Sequence, residues 1–190
     1  MRKDAVWVAD NGDHTFRNPI IYADYADPDV IKVGTDFFMV ASSFTFMPGI
    51  PVLHSKDLVN WNVVNYVFER LPFSEYEKPA HGKGAWAPTI RYHNRTYWVY
   101  FSIPDEGVFM SKSLDPFTVW EPLVHVKKTI GSVSPCPFWD DDGQAYLIFT
   151  LARSRAAWEQ CLHISKMAAD GRSLLDDGEV VFDGTDKQPI

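Results

Sequence analysis

One acidic side chain stands where this chain could perform acid–base chemistry. Asp27 is followed directly by Pro28, which opens a short apolar run, so the local backbone has few alternative conformations. A carboxylate held in this way can take a proton from a bound water. An aspartate in a turn can also simply hydrogen-bond its own loop. The residue type and its position therefore predict either a functional carboxylate or one that caps the strand.

Aromatic side chains are the second feature of the sequence that could serve a binding site. Trp, Tyr and Phe number 7, 8 and 13 and make up 15% of the 190 residues. Such flat apolar faces suit a β-rich core and any site that grips a ligand. The formal net charge of -7 disfavours binding to nucleic acid or to an anionic membrane surface. A neutral ligand is compatible with this charge.

Other common chemistries have no matching motif. Cys136 and Cys161 form neither a disulfide framework nor a zinc-ligand pattern, and we expect both to be free thiols packed as small hydrophobes. The sequence has no glycine-rich phosphate loop, no Gly-x-Ser-x-Gly elbow and no His-Glu-x-x-His motif. We therefore predict no metal site and no cofactor.

The chain ends give little information on where the protein resides. The N-terminus lacks the apolar run of a secretory signal, and no segment approaches the ~18 apolar residues of a membrane helix. The expectation is a soluble protein, either cytoplasmic or exported with its signal removed.

The elements that would position Asp27 recur three times. Each copy begins with a residue followed by proline and a short strand, then a polar turn and an aromatic strand, which is the sequence form of a β-hairpin. A third strand ending in Ser-Lys follows each hairpin, and a fourth, outer strand follows that. The outer strands are predicted at residues 61–64, 120–123 and 179–182.

Four antiparallel strands repeated at roughly 45 to 60 residues are typical of β-propeller blades. The predicted fold is all-β, with a lead-in over residues 1–26 and blades over residues 27–80, 81–130 and 131–190. The alternative is a single β-sandwich with coincidental spacing. Because propellers close as rings of about four to eight blades, three blades predict an incomplete ring. The residues that open the copies, Asp27, Ala87 and Ser134, would converge at one mouth of the ring.

Several motifs, in this order, resemble glycoside hydrolase family 43, which contains β-xylosidases, α-L-arabinofuranosidases, arabinanases and xylanases. The motifs are Asn18-Pro19-Ile20-Ile21, Tyr25-Ala26-Asp27-Pro28-Asp29-Val30, Ser42-Ser43-Phe44, Pro48-Gly49, His54-Ser55-Lys56-Asp57-Leu58-Val59-Asn60-Trp61 and Gly84-Ala85-Trp86-Ala87-Pro88. The resemblance implies a five-bladed propeller, of which this chain would hold three blades. It also implies inverting hydrolysis of a glycosidic bond in a neutral carbohydrate.

The resemblance assigns roles residue by residue. Asp27 matches the general base, which pulls a proton from the water that attacks the anomeric carbon. Trp86 matches an aromatic wall of the sugar pocket, and Phe44 is expected to form another wall. Asp29 is expected to support the site. Family members sometimes carry a channel ion such as Ca²⁺, but no ligands for one can be matched in this sequence.

Two departures from the family pattern bear on activity. Ser134 stands where the family places the aspartate that orients the general acid and tunes its pKa, and a serine brings no charge. The acidic run Asp140-Asp141-Asp142 does not replace it, because that run is predicted to be a solvated hairpin turn. The general acid itself is expected in a Glu-Gly-Pro motif, which the 190 residues do not contain.

Three hypotheses follow from the sequence. The first is an inverting glycosidase acting on arabinose- or xylose-containing polysaccharides or oligosaccharides, with the missing C-terminal blades completing the ring. The second is a non-catalytic carbohydrate-binding propeller, suggested by Ser134 and the missing acid. The third is an inactive fragment.

Overall fold

The chain forms three four-stranded antiparallel sheets, here called blades 1, 2 and 3. The structure is a computed structural model that describes residues 6–151 and 161–183. Blade 1 comprises β1 (Asp29–Val33), β2 (Asp36–Val40), β3 (Gly49–Ser55) and β4 (Asn62–Phe68). Blade 2 comprises β5 (Trp86–His93), β6 (Thr96–Ile103), β7 (Gly107–Ser113) and β8 (Val124–Lys128). Blade 3 comprises β9 (Ser132–Trp139), β10 (Ala145–Leu151), β11 (Cys161–Met167) and β12 (Glu179–Asp183).

Within each blade the strands pair in chain order, so each sheet is a simple meander. The predicted hairpins are confirmed, and their turns show why they form. In blade 2 the turn residues Asn94 and Arg95 both adopt positive φ, at 49° and 59°, which is the type I′ geometry that matches strand twist. In blade 1 Gly34 supplies the positive φ of the equivalent turn, at 62°.

The predicted outer strands are correct in blades 1 and 3 and wrong in blade 2. Residues 120–123 were expected to form that strand, but β8 begins only at Val124. Two groups interrupt the ladder before it: Pro122 has no N–H to offer, and the Glu121 carbonyl accepts the Ser111 hydroxyl at 2.6 Å. Trp120 is instead buried, at 6% exposure, in the core beside blade 1.

The blades pack face to face, with blade 2 in the middle. Along β6 alternate side chains enter different cores, because successive residues of a strand point to opposite faces. Val99 and Phe101 join the core shared with blade 1, while Trp98 and Tyr100 join the core shared with blade 3. A fully buried side chain such as Phe101 stabilises the fold by roughly 1.5–3 kcal/mol.

The second core also contains a buried polar contact. The Tyr100 hydroxyl donates to the Gly171 carbonyl at 2.8 Å, and burial raises the pKa of Tyr100.

The three sheets stack across two continuous cores, and this arrangement excludes the alternative of a single two-sheet sandwich. The described ranges contain one 3₁₀ turn, Ser74–Tyr76, and no helix with the length and apolar character needed to cross a bilayer.

Candidate active site

The inner strands β1, β5 and β9 lie side by side, and each carries the same irregularity where it begins. Two residues, the second of them proline, oppose a single residue on the neighbouring strand. The pairs are Asp27-Pro28 against Ala41, Ala87-Pro88 against Phe101, and Ser134-Pro135 against Phe149. This arrangement is a β-bulge, which re-aims a side chain and tolerates proline because the extra residue leaves the ladder.

The residue before each proline adopts an unusual backbone conformation. Asp27, Ala87 and Ser134 have φ angles of 50°, 42° and 53°. Positive φ is uncommon outside glycine and costs about 1–3 kcal/mol where it occurs, so the surrounding structure must enforce it. The sequence predicted that these three residues share one place in the repeat. The structure adds that they share a bulge and a backbone conformation.

The Asp27 carboxylate is held by one side chain from the following loop. The Ser42 hydroxyl donates to Asp27 Oδ2 at 2.7 Å and accepts the Ala87 N–H at 2.8 Å. Since a hydroxyl has a single proton, the bond from Ala87 directs that proton toward Asp27. The Ser42 N–H donates to the Ala26 carbonyl at 2.9 Å, which fixes the loop beside the bulge. Among the described residues no other group hydrogen-bonds the Asp27 side chain, which is exposed at the mouth.

The two predicted aromatic walls lie against each other. The rings of Phe44 and Trp86 are perpendicular, with centroids 5.7 Å apart. Paired backbone hydrogen bonds of 2.9 Å in both directions join Ser43 to Ala85 and bring the two segments together. Gly84 permits this approach, since a Cβ there would overlap the Ser43 carbonyl oxygen. Phe44 remains 38% exposed and offers a flat apolar surface.

The Asp29 side chain joins blade 1 to blade 2. Its Oδ2 accepts the Ile90 N–H at 2.8 Å and lies 2.6 Å from Arg91 Nη1. Arg91 Nη2 continues to Cys136 Sγ, 3.0 Å away on β9. Burial is the largest single influence on Arg91 and opposes its charge, but Asp29 and Cys136 together outweigh burial and raise the pKa of the guanidinium. Asp29 therefore fixes the three inner strands below the mouth.

Ser134 lies exposed at the third bulge, whose backbone is anchored to blade 2. The Thr89 hydroxyl donates to the Pro135 carbonyl at 2.6 Å. The acidic run at residues 140–142 falls in the turn between β9 and β10, at the other end of the strand from Ser134, as predicted.

Cys136 and Cys161 are free thiols, as predicted. Within residues 6–151 and 161–183, no group of three His, Cys, Asp or Glu side chains could hold a metal ion.

Sequence reasoning did not identify two residues that organise the site. Ser42 was part of a recognised motif but had no assigned role, and Arg91 had none either. Both act on partners far along the chain, so no local pattern marks them. One signal could have indicated Arg91: it is a basic residue on a predicted inner strand. A charged side chain that is partly buried needs a partner of opposite charge nearby.

Stacked four-stranded blades, with their inner strands side by side and a carboxylate at one mouth, define this protein as a β-propeller. Residues 16–190 match the profile of glycosyl hydrolases family 43, and the chain belongs to that family of glycosidases.

Relatives in this family share substantial sequence with the chain. It is 43% identical over 176 residues to a putative beta-xylosidase from Xylanibacter ruminicola, an alignment that covers 92% of this chain and 32% of that protein. It is 39% identical over 121 residues to a non-reducing end alpha-L-arabinofuranosidase from Bacteroides ovatus, covering 59% of this chain and 22% of that protein. The chain spans about a third of the length of the first of these relatives.

Solved structures agree with the fold. A GH43B protein of a Bacteroides ovatus xyloglucan locus superposes with a TM-score of 0.72 at 30% identity, over 89% of this chain and 33% of that one. A mutant of the GH43 protein BlXynB from Bacillus licheniformis superposes with a TM-score of 0.76 at 25% identity, over 91% of this chain and 34% of that one.

Proposed function

We propose that this chain forms part of an inverting glycosidase that releases xylose or arabinose units from oligosaccharides or polysaccharides. Family membership supports glycoside hydrolysis, and relatives named xylosidase or arabinofuranosidase support a pentose-containing substrate. The net charge of -7 is compatible with a neutral carbohydrate. The proposed protein has five blades, with two further blades supplied by sequence outside these residues.

The observation that carries the proposal is the fixed carboxylate of Asp27. In the proposed step a water near Oδ1 attacks the anomeric carbon while one of its protons passes to Asp27. The bond between the anomeric carbon and the leaving oxygen breaks on the opposite side of that carbon, which inverts its configuration. The Ser42 bond engages Oδ2, and among the described residues no group hydrogen-bonds Oδ1, which is therefore available to the water.

Trp86 and Phe44 would bind the sugar beside Asp27. A perpendicular pair presents one ring face and one ring edge, and the apolar face of a pyranose or furanose ring packs well on such surfaces. Sugar hydroxyl groups remain free to meet polar groups around the mouth. These two residues thereby position the anomeric carbon and contribute little to proton transfer.

The leaving oxygen requires a proton from a second group. We propose that this general acid belongs to a Glu-Gly-Pro motif outside the 190 residues. At the third bulge, the exposed Ser134 hydroxyl could orient that acid by a hydrogen bond, but it would not raise its pKa by like-charge repulsion.

The test is pentose release by the full-length protein from nitrophenyl pentosides and from short xylo- and arabino-oligosaccharides. The Asp27→Asn variant keeps the size and polarity of the side chain but cannot accept the proton, so turnover should fall by about 10²- to 10⁴-fold. An Asp141→Asn variant in the exposed β9–β10 turn is the matched control. Wild-type turnover by Asp27→Asn would refute the assignment of the base.

A second candidate function is sugar binding without hydrolysis. The observation that favours it is the uncharged Ser134 at the bulge equivalent to that of Asp27. It predicts saturable binding of xylo- or arabino-oligosaccharides with no product. Release of reducing sugar above that of the Asp27→Asn variant would eliminate this candidate.

A further inference from the structure

One position of the repeat makes contacts between neighbouring inner strands. It is the residue after each X-Pro step, and it is occupied by Asp29, Thr89 and Cys136. Asp29 Oδ2 accepts the Ile90 N–H at 2.8 Å, which joins blade 1 to blade 2. The Thr89 hydroxyl donates to the Pro135 carbonyl at 2.6 Å, which joins blade 2 to blade 3. The blades are therefore tied together within two residues of each bulge.

Arg91 contacts two of these residues at once. Its Nη1 donates to Asp29 Oδ2 at 2.6 Å, and its Nη2 donates to Cys136 Sγ at 3.0 Å. Nη1 also donates to the Ile90 carbonyl at 2.6 Å, which holds the guanidinium against its own strand. A guanidinium is planar and rigid, so the group itself fixes the distance between its two partners. Blades 1 and 3 lie on either side of blade 2, and this one side chain connects them.

The two partners of Arg91 lie next to residues with proposed roles in hydrolysis. Asp29 follows Asp27 by two positions, and Cys136 follows Ser134 by two positions. The intervening residue is proline in both cases, and its fixed φ leaves little freedom between partner and bulge. A shift of Asp29 relative to Cys136 is therefore transmitted to the two bulge residues.

Inverting hydrolysis depends on the spacing between its two catalytic groups. The base and the acid of inverting glycosidases lie about 6.5–9.5 Å apart, which leaves room for the attacking water. In the proposed site Asp27 is the base and Ser134 orients the acid. A misplacement of about 1 Å can lower the rate of an enzyme on the order of 10²-fold.

We propose that Arg91 is a positioning residue for hydrolysis. Its guanidinium, by bridging Asp29 and Cys136, sets the separation between the first and third bulges. This inference rests on the proposed function and deepens it. The bridge requires two nitrogen atoms that reach two partners, so a positive charge alone is not sufficient. Lysine has the charge of arginine but a single nitrogen.

The test compares Arg91→Ala and Arg91→Lys in the full-length protein by steady-state hydrolysis of a nitrophenyl pentoside, well below the unfolding temperature. Both variants should lower kcat by about 10-fold while KM changes by less than about twofold, since no proposed substrate contact is lost. Arg91→Lys should resist urea better than Arg91→Ala, because its ammonium group can still pair with Asp29. This variant keeps the test valid if Arg91→Ala does not fold.

A small cation supplied in solution tests the requirement for a two-pronged donor. Methylguanidinium at a non-denaturing concentration should raise the kcat of Arg91→Ala by about threefold or more, because it can occupy the space of the missing side chain and donate to both partners. Methylammonium carries the same charge and should not raise it. Equal effects of the two cations would refute the bridging role.

Tyr100→Phe is the matched control for a loss of stability. It removes the hydrogen bond to the Gly171 carbonyl in the core between blades 2 and 3. The variant should unfold at a lower urea concentration and retain the kcat of the wild type. A decrease in kcat as large as that of Arg91→Ala would show that lost stability, not bulge spacing, lowers activity.

The outcomes separate this inference from the function on which it rests. If pentose release depends on Asp27 but Arg91→Ala retains the kcat of the wild type, the positioning role is wrong and the proposed function stands. Full kcat in Arg91→Lys also refutes the role, because charge alone would then be sufficient. If the full-length protein releases no pentose, both proposals fail.

Discussion

The Ser42 hydroxyl lies 2.7 Å from Oδ2 of Asp27 and accepts the N–H of Ala87 at 2.8 Å. One side chain thus links the opening residues of two blades, and the position of the carboxylate depends on how those blades pack. Ser42 makes no proposed contact with the reacting atoms, so it is a positioning residue for Asp27.

The Ser42→Ala variant should lower kcat by roughly 5- to 10-fold, since it removes one hydrogen bond to a charged group worth about 1.5 kcal/mol or less in this exposed setting. KM should change little. Ser42→Thr retains the hydroxyl and should restore most of kcat, whereas a purely structural role would make both variants unstable. An increase in KM with an unchanged kcat would contradict the positioning role.

Restoring a carboxylate at the third bulge should increase activity. Ser134 has a φ of 53°, a conformation that aspartate tolerates comparatively well. A negative charge there should raise the pKa of the proposed general acid, so we expect Ser134→Asp to increase kcat/KM and to shift the basic limb of the pH–rate profile to higher pH. Ser134→Asn has the same size without the charge and should give neither effect. An unchanged pH profile in Ser134→Asp would refute a charge role at this position.

The pair of Asp29 and Arg91 should contribute measurably to stability. Its side chains are 27% and 34% exposed, so a double-mutant cycle with Asp29→Asn and Arg91→Gln should give a coupling of about 1–2 kcal/mol in the free energy of unfolding. Glu121 and Arg172 form a matched control at a similar distance of 2.7 Å but with 43% and 46% exposure. The control coupling should be below about 1 kcal/mol. Equal couplings in the two cycles would show that burial of the first pair has no special effect.

Acid should destabilise blade 1 through Asp36. Hydrogen bonds from Lys56 and then His54 lower the pKa of Asp36 to about 2. Between about pH 4 and pH 2 the unfolded chain therefore binds more protons at this residue, so the free energy of unfolding falls as the pH falls. Asp36→Asn should reduce that slope in urea unfolding measured across this range. Asp141→Asn, at a carboxylate that no described group hydrogen-bonds, should leave the slope unchanged.

Much of the fold was predictable because its determinants are local. Turn residues such as Gly34 and Asn94 mark the hairpins, and the alternation along β6 marks a sheet between two cores. The outer strand of blade 2 was misplaced because its apolar side chains look like a strand. What interrupts that pattern is Pro122, which has no N–H for the ladder, together with the Ser111 hydroxyl, which bonds the Glu121 carbonyl from outside the segment.

The candidate site was predictable only where its residues carry a local signature. Asp27 stands out because it precedes a proline at the start of a repeat, and Trp86 occupies the corresponding segment of the next repeat. Ser42 and Arg91 carry no such mark, since their significance comes from contacts between blades. The roles of Asp27, Trp86, Phe44 and Ser134 in catalysis stay predictions, as do the five-blade ring and the absence of a cofactor.

The three X-Pro bulges also suggest how this architecture could be altered. Aspartate, alanine and serine occupy them with nearly the same φ, so the conformation belongs to the bulge and its surroundings and does not depend on the type of side chain. The two exposed bulge positions, 27 and 134, can therefore carry one carboxylate or two without redesign of a strand. The acid–base chemistry of the site could then be changed by single substitutions on an unchanged backbone.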